Sequence, residues 1–404
     1  MKKTIPLILA ASSVLTLTAV TAAGQLRTNR LEFDPAITKY VRFLEQQRQS
    51  PLEYILGLFE TNDLVVICER AHAEVTQYDL IYSLVSDPRF RRQVGNVFIE
   101  VGTSALRPAV EALLTDNTLS DAQVDEKLRY IAQNFDFGPV WEKTNIFDFL
   151  RKLHYLNRSL TRDRQVHVYP SGIEFRWESM SRQKWTEFGK QLGRRDQIMA
   201  DNVVSKFKEL RQTRDQTKAL VIMNYRHAFP HLPIKSGRQV ENTTGFLMEA
   251  FPGKVANVMI NSVGFLPGTT DQRVLMTALQ QGKWDAAFAV VANPGIAFDF
   301  SGSPFGEDDF DYFPFIPHRR RYQDVFTGFV FFKPLEAHRQ SFGLPGLIDA
   351  SFGEEYARRA SIAGHPIQAG INEEIQSLAT ARVSNGYDEP AIAEKIHQWL
   401  KTKP

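Results

Sequence analysis

Cysteine is almost absent from this chain, because Cys68 is the one cysteine among 404 residues. An intramolecular disulfide is therefore excluded, and the apolar core must supply the stability of the fold. The formal net charge of +2 lacks the strong basic excess that is typical of nucleic-acid binding, so we expect no nucleic-acid partner. Hydrophobic residues at 43% and charged residues at 23% are usual for a soluble globular protein.

Long hydrophobic runs are also scarce, and the one that stands out is at the N-terminus. Lys2 and Lys3 precede an apolar or small-residue stretch, Ile5–Val20, and small residues follow it at Thr21-Ala22-Ala23. This pattern predicts a signal peptide over residues 1–23 and export of the mature protein to the periplasm or the medium. An uncleaved membrane anchor is the alternative. After cleavage we expect no stable membrane span.

Several nucleotide and hydrolase signatures are missing as well. The chain has no Gly-x-Ser-x-Gly elbow, which is the mark of a serine α/β-hydrolase. It has neither a Gly-x-Gly-x-x-Gly fingerprint nor a P-loop, the usual signs of a bound nucleotide. Catalysis, where it occurs, must therefore depend on other groups.

What the chain does contain is an alternation of apolar runs with helical patterns. This rhythm predicts an α/β fold with a mostly parallel central β-sheet, helices on both faces and helical insertions. We expect a single domain over residues 24–404 with a helical C-terminal tail. The predicted strands are Asp63–Cys68, Asn96–Val101, Gln165–Tyr169, Lys218–Met223, Val255–Ile260, Asp285–Val291 and Val325–Phe332.

Apolar residues at helical spacing predict the helices between these strands. One segment, 302–322, is different, because it mixes acids, aromatics and prolines without periodicity. It is interpreted either as a lid or substrate wall, or as a surface loop held by its own aromatic residues. The predicted helices are two within Ala36–Phe59 separated at Ser50-Pro51, Val75–Val85, two within Ala105–Phe135 with the second capped at Ser120, Thr144–Leu160, Arg182–Arg211 and Ile392–Leu400.

Chemically active side chains follow three of the predicted strands. Glu69 and His72 come after the first strand, Glu100 directly after the NVFI run of the second, and His227 after the fourth. Because parallel strands present their carboxyl ends at one edge of a sheet, we expect these residues to form one site, joined by Arg195-Asp196. Two histidines, two carboxylates and an arginine can provide a base, a group that orients it and a donor for a developing oxyanion.

The same residues suggest an alternative in which a metal ion is bound. Histidines combined with carboxylates are common ligands of zinc and manganese, so the cofactor would be a divalent ion of this kind. The candidate ligands are His72, Glu69, Glu100 and His227. The spacing is not that of the His-Glu-x-x-His helix of metalloproteases.

Three segments carry a resemblance to a known family. ICERAHAE (67–74) resembles the Gly-Glu-x-x-His-Gly signature of erythromycin esterase-type proteins. RRDQIMADNV (194–203) is similar to their Arg-Asp/Glu-x-x-Met-Ala-Glu-Asn helix, and ALVIMNYRHAF (219–229) to their strand that ends in histidine. The wider superfamily includes Tiki-type metalloproteases and ChaN-type haem-uptake proteins. Cys68 and Ala73 stand where the family has glycines, and Arg226 departs from its His-Asn-x-His ending.

The resemblance implies a hydrolase that acts on an ester, lactone or amide bond of a small molecule or a peptide. It implies His72 as the base that activates water. The i, i+3, i+6 spacing of Asp196, Met199 and Asn202 places them on one side of a helix, and we expect Met199 and Asn202 to hold that helix against the site. The alternatives are a non-catalytic protein that binds haem, iron or another small ligand on this fold, and a structural member of the superfamily. The candidate catalytic residues are His72, Glu100, His227 and Glu69, and the candidate substrate or oxyanion contacts are Arg195 and Arg226.

Overall fold

The computed structural model describes residues 31–233, 237–267, 274–293, 295–313, 320–365, 367, 370–387 and 389–400. The predicted signal peptide lies outside these residues, as does His318 of the 302–322 segment. No helix within these ranges has the length and apolarity needed to cross a membrane.

A seven-stranded sheet forms the centre of the fold, in the order β10-β11-β7-β1-β4-β2-β3. Neighbouring strands are parallel except β10, which pairs antiparallel with β11 at one edge. The strands in chain order are β1 Leu64–Glu69, β2 Asn96–Thr103, β3 His167–Gly172, β4 Ala219–Asn224, β5 Leu232–Pro233, β6 Gln239–Val240, β7 Val255–Ile260, β8 Gly264–Pro267, β9 Val274–Thr277, β10 Gly295–Asp299, β11 Gly328–Phe332, β12 Arg339–Phe342 and β13 Arg382–Asn385.

Two apolar clusters lie on opposite faces of this sheet. In β1, Val65 and Ile67 belong to one cluster, whereas Leu64, Val66 and Cys68 belong to the other. This alternation follows from the two-residue period of a strand, and it leaves every residue of β1 buried. A strand that is apolar on both faces is typical of a sheet covered by helices on both sides. The predicted α/β class is confirmed.

The helices agree with most of the predicted ones. Ser50 caps one helix ahead of Pro51, and Ser120 forms a capping box with Gln123 at the start of another. The helices are α1 Thr38–Leu44, α2 Pro51–Thr61, α3 Thr76–Ser86, α4 Pro88–Gln93, α5 Arg107–Thr115, α6 Asp121–Gln133, α7 Asn145–Arg158, α8 Arg182–Gly189, α9 Arg195–Thr213, α10 Thr243–Ala250, α11 Lys283–Val291, α12 Gly353–Ala363, α13 Ile371–Leu378 and α14 Pro390–His397.

The prediction of one long helix over Arg182–Arg211 is wrong. The chain forms α8, a short 3-10 turn at Leu192–Arg194, and then α9. Gly189 ends the first helix and Gly193 lies in the turn. Two glycines so close together weaken a helix, and residues 189–194 are exposed, so no packing holds them in helical conformation. As a result α9 begins at Arg195, so Arg195 and Asp196 lie in its first turn.

The prediction of a strand over Asp285–Val291 is also wrong, because these residues belong to α11. A short apolar run does not by itself distinguish a strand from a buried helix. Here the alanines at 286, 287 and 289 favour the helix. The edge strand of the sheet is instead β10, which the sequence did not predict, and the last predicted strand begins only at Gly328.

The described part of the 302–322 segment is attached to the body of the protein. Phe305, Tyr312 and Tyr322 are buried. The carboxylate of Asp308 accepts hydrogen bonds from the hydroxyl of Tyr40 at 2.6 Å and from the indole of Trp284 at 2.9 Å. These contacts favour the interpretation of this part as a loop held by its own aromatic residues.

Gly102 in β2 allows the sheet to approach the segment that follows α6. Its φ is +87°, and a Cβ atom there would lie 2.8 Å from the ring of Phe135. The amide of Thr103 donates to the carbonyl of Phe135 at 2.8 Å, so the two backbones are held together at this point. A side chain at 102 would meet both conformational strain and overlap.

We expect Gly102→Ala to lower the free energy of unfolding by about 2–4 kcal/mol, because the new methyl group must displace Phe135 and the left-handed φ disfavours alanine. Urea denaturation followed by circular dichroism measures this change. Gly189→Ala is the matched control, since nothing lies within 4 Å of a Cβ there, and its effect should stay within about 1 kcal/mol. Equal midpoints for Gly102→Ala and wild type would contradict the packing described.

Candidate functional site

Strand order brings the predicted site residues together. β4 lies between β1 and β2, and Glu69 at the end of β1 is in register with Asn224 at the end of β4. Glu100 lies near the end of β2, on the other side of β4. The carboxyl ends of three adjacent parallel strands therefore carry Glu69, Asn224 and Glu100 at one edge of the sheet.

His72 lies on a tight turn that follows Glu69. Its Nδ1 forms a short hydrogen bond with Oε1 of Glu69. Its backbone carbonyl accepts from the side-chain amide of Asn145 at 2.7 Å, and its ring meets that of Trp141 edge to face, with centroids 5.1 Å apart. These contacts fix the ring and leave Nε2 directed towards the site.

Arg70 holds this turn from inside. Its guanidinium is fully buried and forms an ion pair with Glu74 at 2.9 Å. It also donates to the backbone and side-chain oxygens of Asn261 at 2.7 and 2.8 Å and to the carbonyl of Phe332. A buried charge is tolerated when it is paired and hydrogen-bonded in this way. Arg70 thus ties the turn to the ends of β7 and β11.

His227 reaches the site from the turn after β4. Tyr225 begins this turn with a φ of +42°, which is rare for a residue other than glycine. Its ring packs edge to face on Phe265 at 4.6 Å, and its carbonyl lies 3.7 Å from Sγ of Cys68. These two contacts hold Tyr225 in a backbone conformation that costs roughly 1–3 kcal/mol. The turn that results directs His227 back over the sheet.

Asp196 in the first turn of α9 holds His227. Its Oδ1 lies 2.5 Å from Nδ1 of His227 and accepts from the amide and the hydroxyl of Thr243, both at 2.9 Å. Its Oδ2 accepts from Arg226 at 2.8 Å. The His227–Asp196 pair therefore repeats the arrangement of His72 with Glu69.

Glu100 lies between these two histidine–carboxylate pairs and is 3% exposed. Its Oε1 is 3.9 Å from Nε2 of His72, 3.5 Å from Nε2 of His227 and 3.1 Å from a guanidinium nitrogen of Arg195. Its Oε2 accepts from the amide of Asn224 at 2.6 Å. Both imidazole distances exceed the ~2.7–3.2 Å of a hydrogen bond, so each Nε2 keeps the capacity to exchange a proton with a bound molecule.

The charges of the site are strongly coupled. Burial opposes ionisation of Glu100, but the two histidines and Arg195 outweigh it and hold the pKa of this carboxyl below its usual value. Burial likewise opposes ionisation of Asp196, yet its hydrogen bond to His227 holds its pKa well below the usual range. Burial disfavours the charged form of His72, but Glu69 and Glu100 prevail and raise its pKa.

A wall beside the site comes from the irregular segment after α6. Trp141 contacts His72, and Phe137 lies 6.0 Å from the guanidinium carbon of Arg195. Burial and the charge of Glu100 raise the pKa of Asp136, whose carboxyl also interacts electrostatically with His72 and Arg195. Sequence reasoning missed these three residues, because their segment has neither strand nor helix periodicity. The aspartate between two phenylalanines was the signal available.

The structure brings together all six predicted site residues. Arg195 and Arg226 both lie at the site, and each forms an ion pair there. Arg195 pairs with Glu100, and Arg226 pairs with Asp196. Asn202 donates to the carbonyls of Ser171 and Gly172 at 3.1 Å, which fixes α9 against β3 as expected. Cys68 is buried, and burial raises the pKa of its thiol well above the usual value, so it is no thiolate nucleophile.

The metal alternative gains no support from the arrangement of these groups. Across the ranges that the structure describes, no cluster of three or more His, Cys, Asp and Glu side chains is arranged to hold a metal ion. The oxygen of Glu100 nearest to both histidines already accepts from Arg195, whose positive charge would repel a divalent cation. Zinc or manganese binding stays a prediction.

Comparisons with known proteins concern structure alone. No protein-family profile and no curated protein sequence matches this chain. A succinoglycan biosynthesis protein is similar to it over 76% of this chain and 95% of that one, at 8% identity and a TM-score of 0.47. An erythromycin esterase mutant in its open conformation is similar over 70% and 93% of the two chains, at 9% identity and a TM-score of 0.44.

A third similar structure is the ChaN protein of Campylobacter jejuni with cofacial haem bound. It covers 54% of this chain and 88% of its own, at 13% identity and a TM-score of 0.33. Two of the three groups named by the sequence resemblance, erythromycin esterases and ChaN-type proteins, occur among these similar solved structures.

Proposed function

We propose that this protein is an exported hydrolase that cleaves an ester, lactone or amide bond by means of water activated by His72. One observation supports this above the others. Two imidazoles, each held at Nδ1 by its own carboxylate, direct Nε2 towards the same buried Glu100. One hydrogen-bonded partner is enough for a histidine with a purely structural role. Two histidines that are each held by a carboxylate and point at the same position are instead typical of proton-transfer sites.

His72 is the general base in this proposal. Its side chain is 22% exposed, so water and substrate can reach Nε2. The hydrogen bond to Glu69 fixes Nδ1 and stabilises the imidazolium that forms when Nε2 takes a proton from water. The water oxygen then bonds to the carbonyl carbon, and His72 returns the proton to the leaving oxygen or nitrogen as the old bond breaks.

His227 is the second participant. Its side chain is 11% exposed and lies across Glu100 from His72. Protonated at both ring nitrogens, it donates from Nδ1 to Asp196 and from Nε2 to the oxyanion that develops on the carbonyl oxygen. Asp196 and Arg226 keep this imidazole in place.

Glu100 balances the charge of both imidazolium forms. It touches neither leaving group nor nucleophile in this proposal, but its negative charge favours a proton on His72 and is itself stabilised by both histidines. Arg195 donates a hydrogen bond to Glu100, and its positive charge partly offsets the negative charge that Glu100 presents to the histidines. The site can thus pass a proton without a large net change in charge.

The substrate is expected to be a small molecule or a peptide. Trp141 and Phe137 give one side of the site an aromatic surface, which suits an apolar or planar group next to the reacting bond. The carboxyl of Asp136, protonated more readily than usual because of its burial, lies on that same side. Periplasmic or extracellular location is part of the proposal.

Non-catalytic binding of haem or another small ligand is the other outcome that experiment must distinguish. His72→Asn preserves a donor to Glu69 and removes only the base at Nε2. We expect it to reduce hydrolysis at least about 100-fold, the usual contribution of a general base, without loss of folded structure. An aryl ester, an aliphatic lactone and a peptide amide form the substrate panel, with product release as the readout.

The matched control is His365→Asn, since His365 is exposed and follows α12, a helix that supplies none of the site residues. Wild-type rates in His72→Asn would refute the role of His72 as base. Absence of turnover on the whole panel, together with a Soret band on haem addition that His72→Asn abolishes, would instead establish the binding alternative.

The rate should also depend on pH in a specific manner. Because the carboxylates raise the pKa of His72, the acid limb of the kcat/KM profile, along which His72 loses its proton, should rise to its plateau with a midpoint above the ~6.5 of an ordinary histidine. Glu69→Gln removes the charge that raises the pKa of His72 most, whereas the burial that lowers this pKa stays. We therefore expect the midpoint to move to lower pH and the plateau to fall. Glu354→Gln, on an exposed position of α12, is the control, and an unshifted midpoint in Glu69→Gln would contradict the coupling.

A further inference from the structure

A second cavity, apart from the site above, lies between α11, the end of β11 and α14. Its volume is about 630 Å³, within the ~300–1,000 Å³ of small-molecule sites. Its lining is mostly apolar and includes Phe288, Phe331, Ile396 and Leu400. None of the six predicted site residues lines it, so this cavity is separate from the proposed catalytic site.

Two stacked aromatic side chains contribute an apolar surface to this cavity. Phe288 of α11 and Phe331 of β11 stack with centroids 3.9 Å apart and planes 8° from parallel. Both side chains are also part of the buried core on this face of the sheet. The surface is therefore rigid, and it suits the apolar body of a bound molecule.

Two carboxylates face this apolar surface. Asp285, partly buried, and Glu336, exposed at the rim, both line the cavity. In the part of the chain that the structure describes, neither side chain has an ion pair or a hydrogen bond to another side chain. His397 is the basic group among the lining residues, and it pairs with neither of them.

The nearby lysines are engaged elsewhere. Lys283 lies over the ring of Trp399 at 5.1 Å. Lys333 pairs with Asp79 at 2.8 Å, and Lys395 donates to the hydroxyl of Thr277 at 2.7 Å. Among the residues that the structure describes, none of these three lysines forms an ion pair with Asp285 or Glu336.

The pKa of Asp285 reflects the absence of an ion-pair partner for its carboxylate among the described residues. Asp285 lies in the first turn of α11, where the helix dipole ordinarily stabilises a carboxylate. Burial and the neighbouring charge of Glu336 nevertheless raise its pKa to about 7, against the smaller opposing effects of its backbone amide and of Arg70. A positive group placed between the two carboxylates would remove this penalty.

We propose that this cavity binds an organic cation, an amine carried on an apolar body. The ammonium lies between Asp285 and Glu336, and the apolar body lies on the Phe288–Phe331 surface. The combination of apolar lining and unpaired carboxylates selects this class over fatty acids and phosphates, which the carboxylates repel, and over neutral apolar molecules, which leave them unpaired.

Fluorescence titration with monodansylcadaverine tests the proposal, since the dansyl group brightens on entering an apolar cavity and the pentylamine end is cationic. Its N-acetylated form has the same apolar body without the charge. We expect the wild-type protein to bind the cationic probe at least about tenfold more tightly, the usual effect of one charge-assisted contact. Asp285→Asn and Glu336→Gln should each reduce this preference.

Two further variants locate the bound probe. Ala289→Trp fills the cavity from an exposed position of α11 and should abolish binding of both probes. Asp201→Asn, the same change at an exposed position of α9, should leave both affinities as in wild type. Equal affinity for the two probes, no binding of either to the wild type, or unchanged binding in Ala289→Trp would each overturn the proposal.

Discussion

Burial of the Glu100 carboxylate is the constraint on which the site depends. An ionised group in a protein interior costs several kcal/mol unless donors and opposite charges surround it. Here the surrounding polar and charged groups come from three separate parts of the chain: the turn after β1, the end of β4 with the turn that follows it, and the first turn of α9. Removing Glu100 from water therefore requires that these three parts meet, and their meeting places Nε2 of two imidazoles within about 4 Å of Glu100.

A second buried charge fixes the geometry around the first. Arg70 contacts the ends of β7 and β11, so the turn that presents His72 is held by the sheet itself. This explains how the turn forms with Cys68 and Ala73 where the resemblance has glycines. Cys68 lies within β1 and Ala73 is buried with its carbonyl accepting from the amide of Ser341. Neither position has the left-handed φ that would demand glycine.

Patterns of period two and of helical spacing revealed most of the fold and the residues at the strand ends. They failed where local pattern is ambiguous or absent. Residues 285–291 are apolar enough for either a strand or a helix. Their alanines favour the helix only weakly, and their packing against β11 accompanies the helical outcome. Asp136 and Trp141 belong to an irregular segment whose position is set by long-range contacts, including the backbone pairing of Thr103 with Phe135. No periodicity encodes such contacts.

The place of β4 in the sheet has a consequence for assembly. β4 follows β2 by more than 100 residues in the chain, yet it must lie between β1 and β2 before Glu69 and Glu100 share a site. Such non-local pairing is slow to form because a long loop must close first. A nascent chain that ends before β4 holds both carboxylates without the site. The chemistry of this protein is thus acquired only when β4 takes its place between β1 and β2.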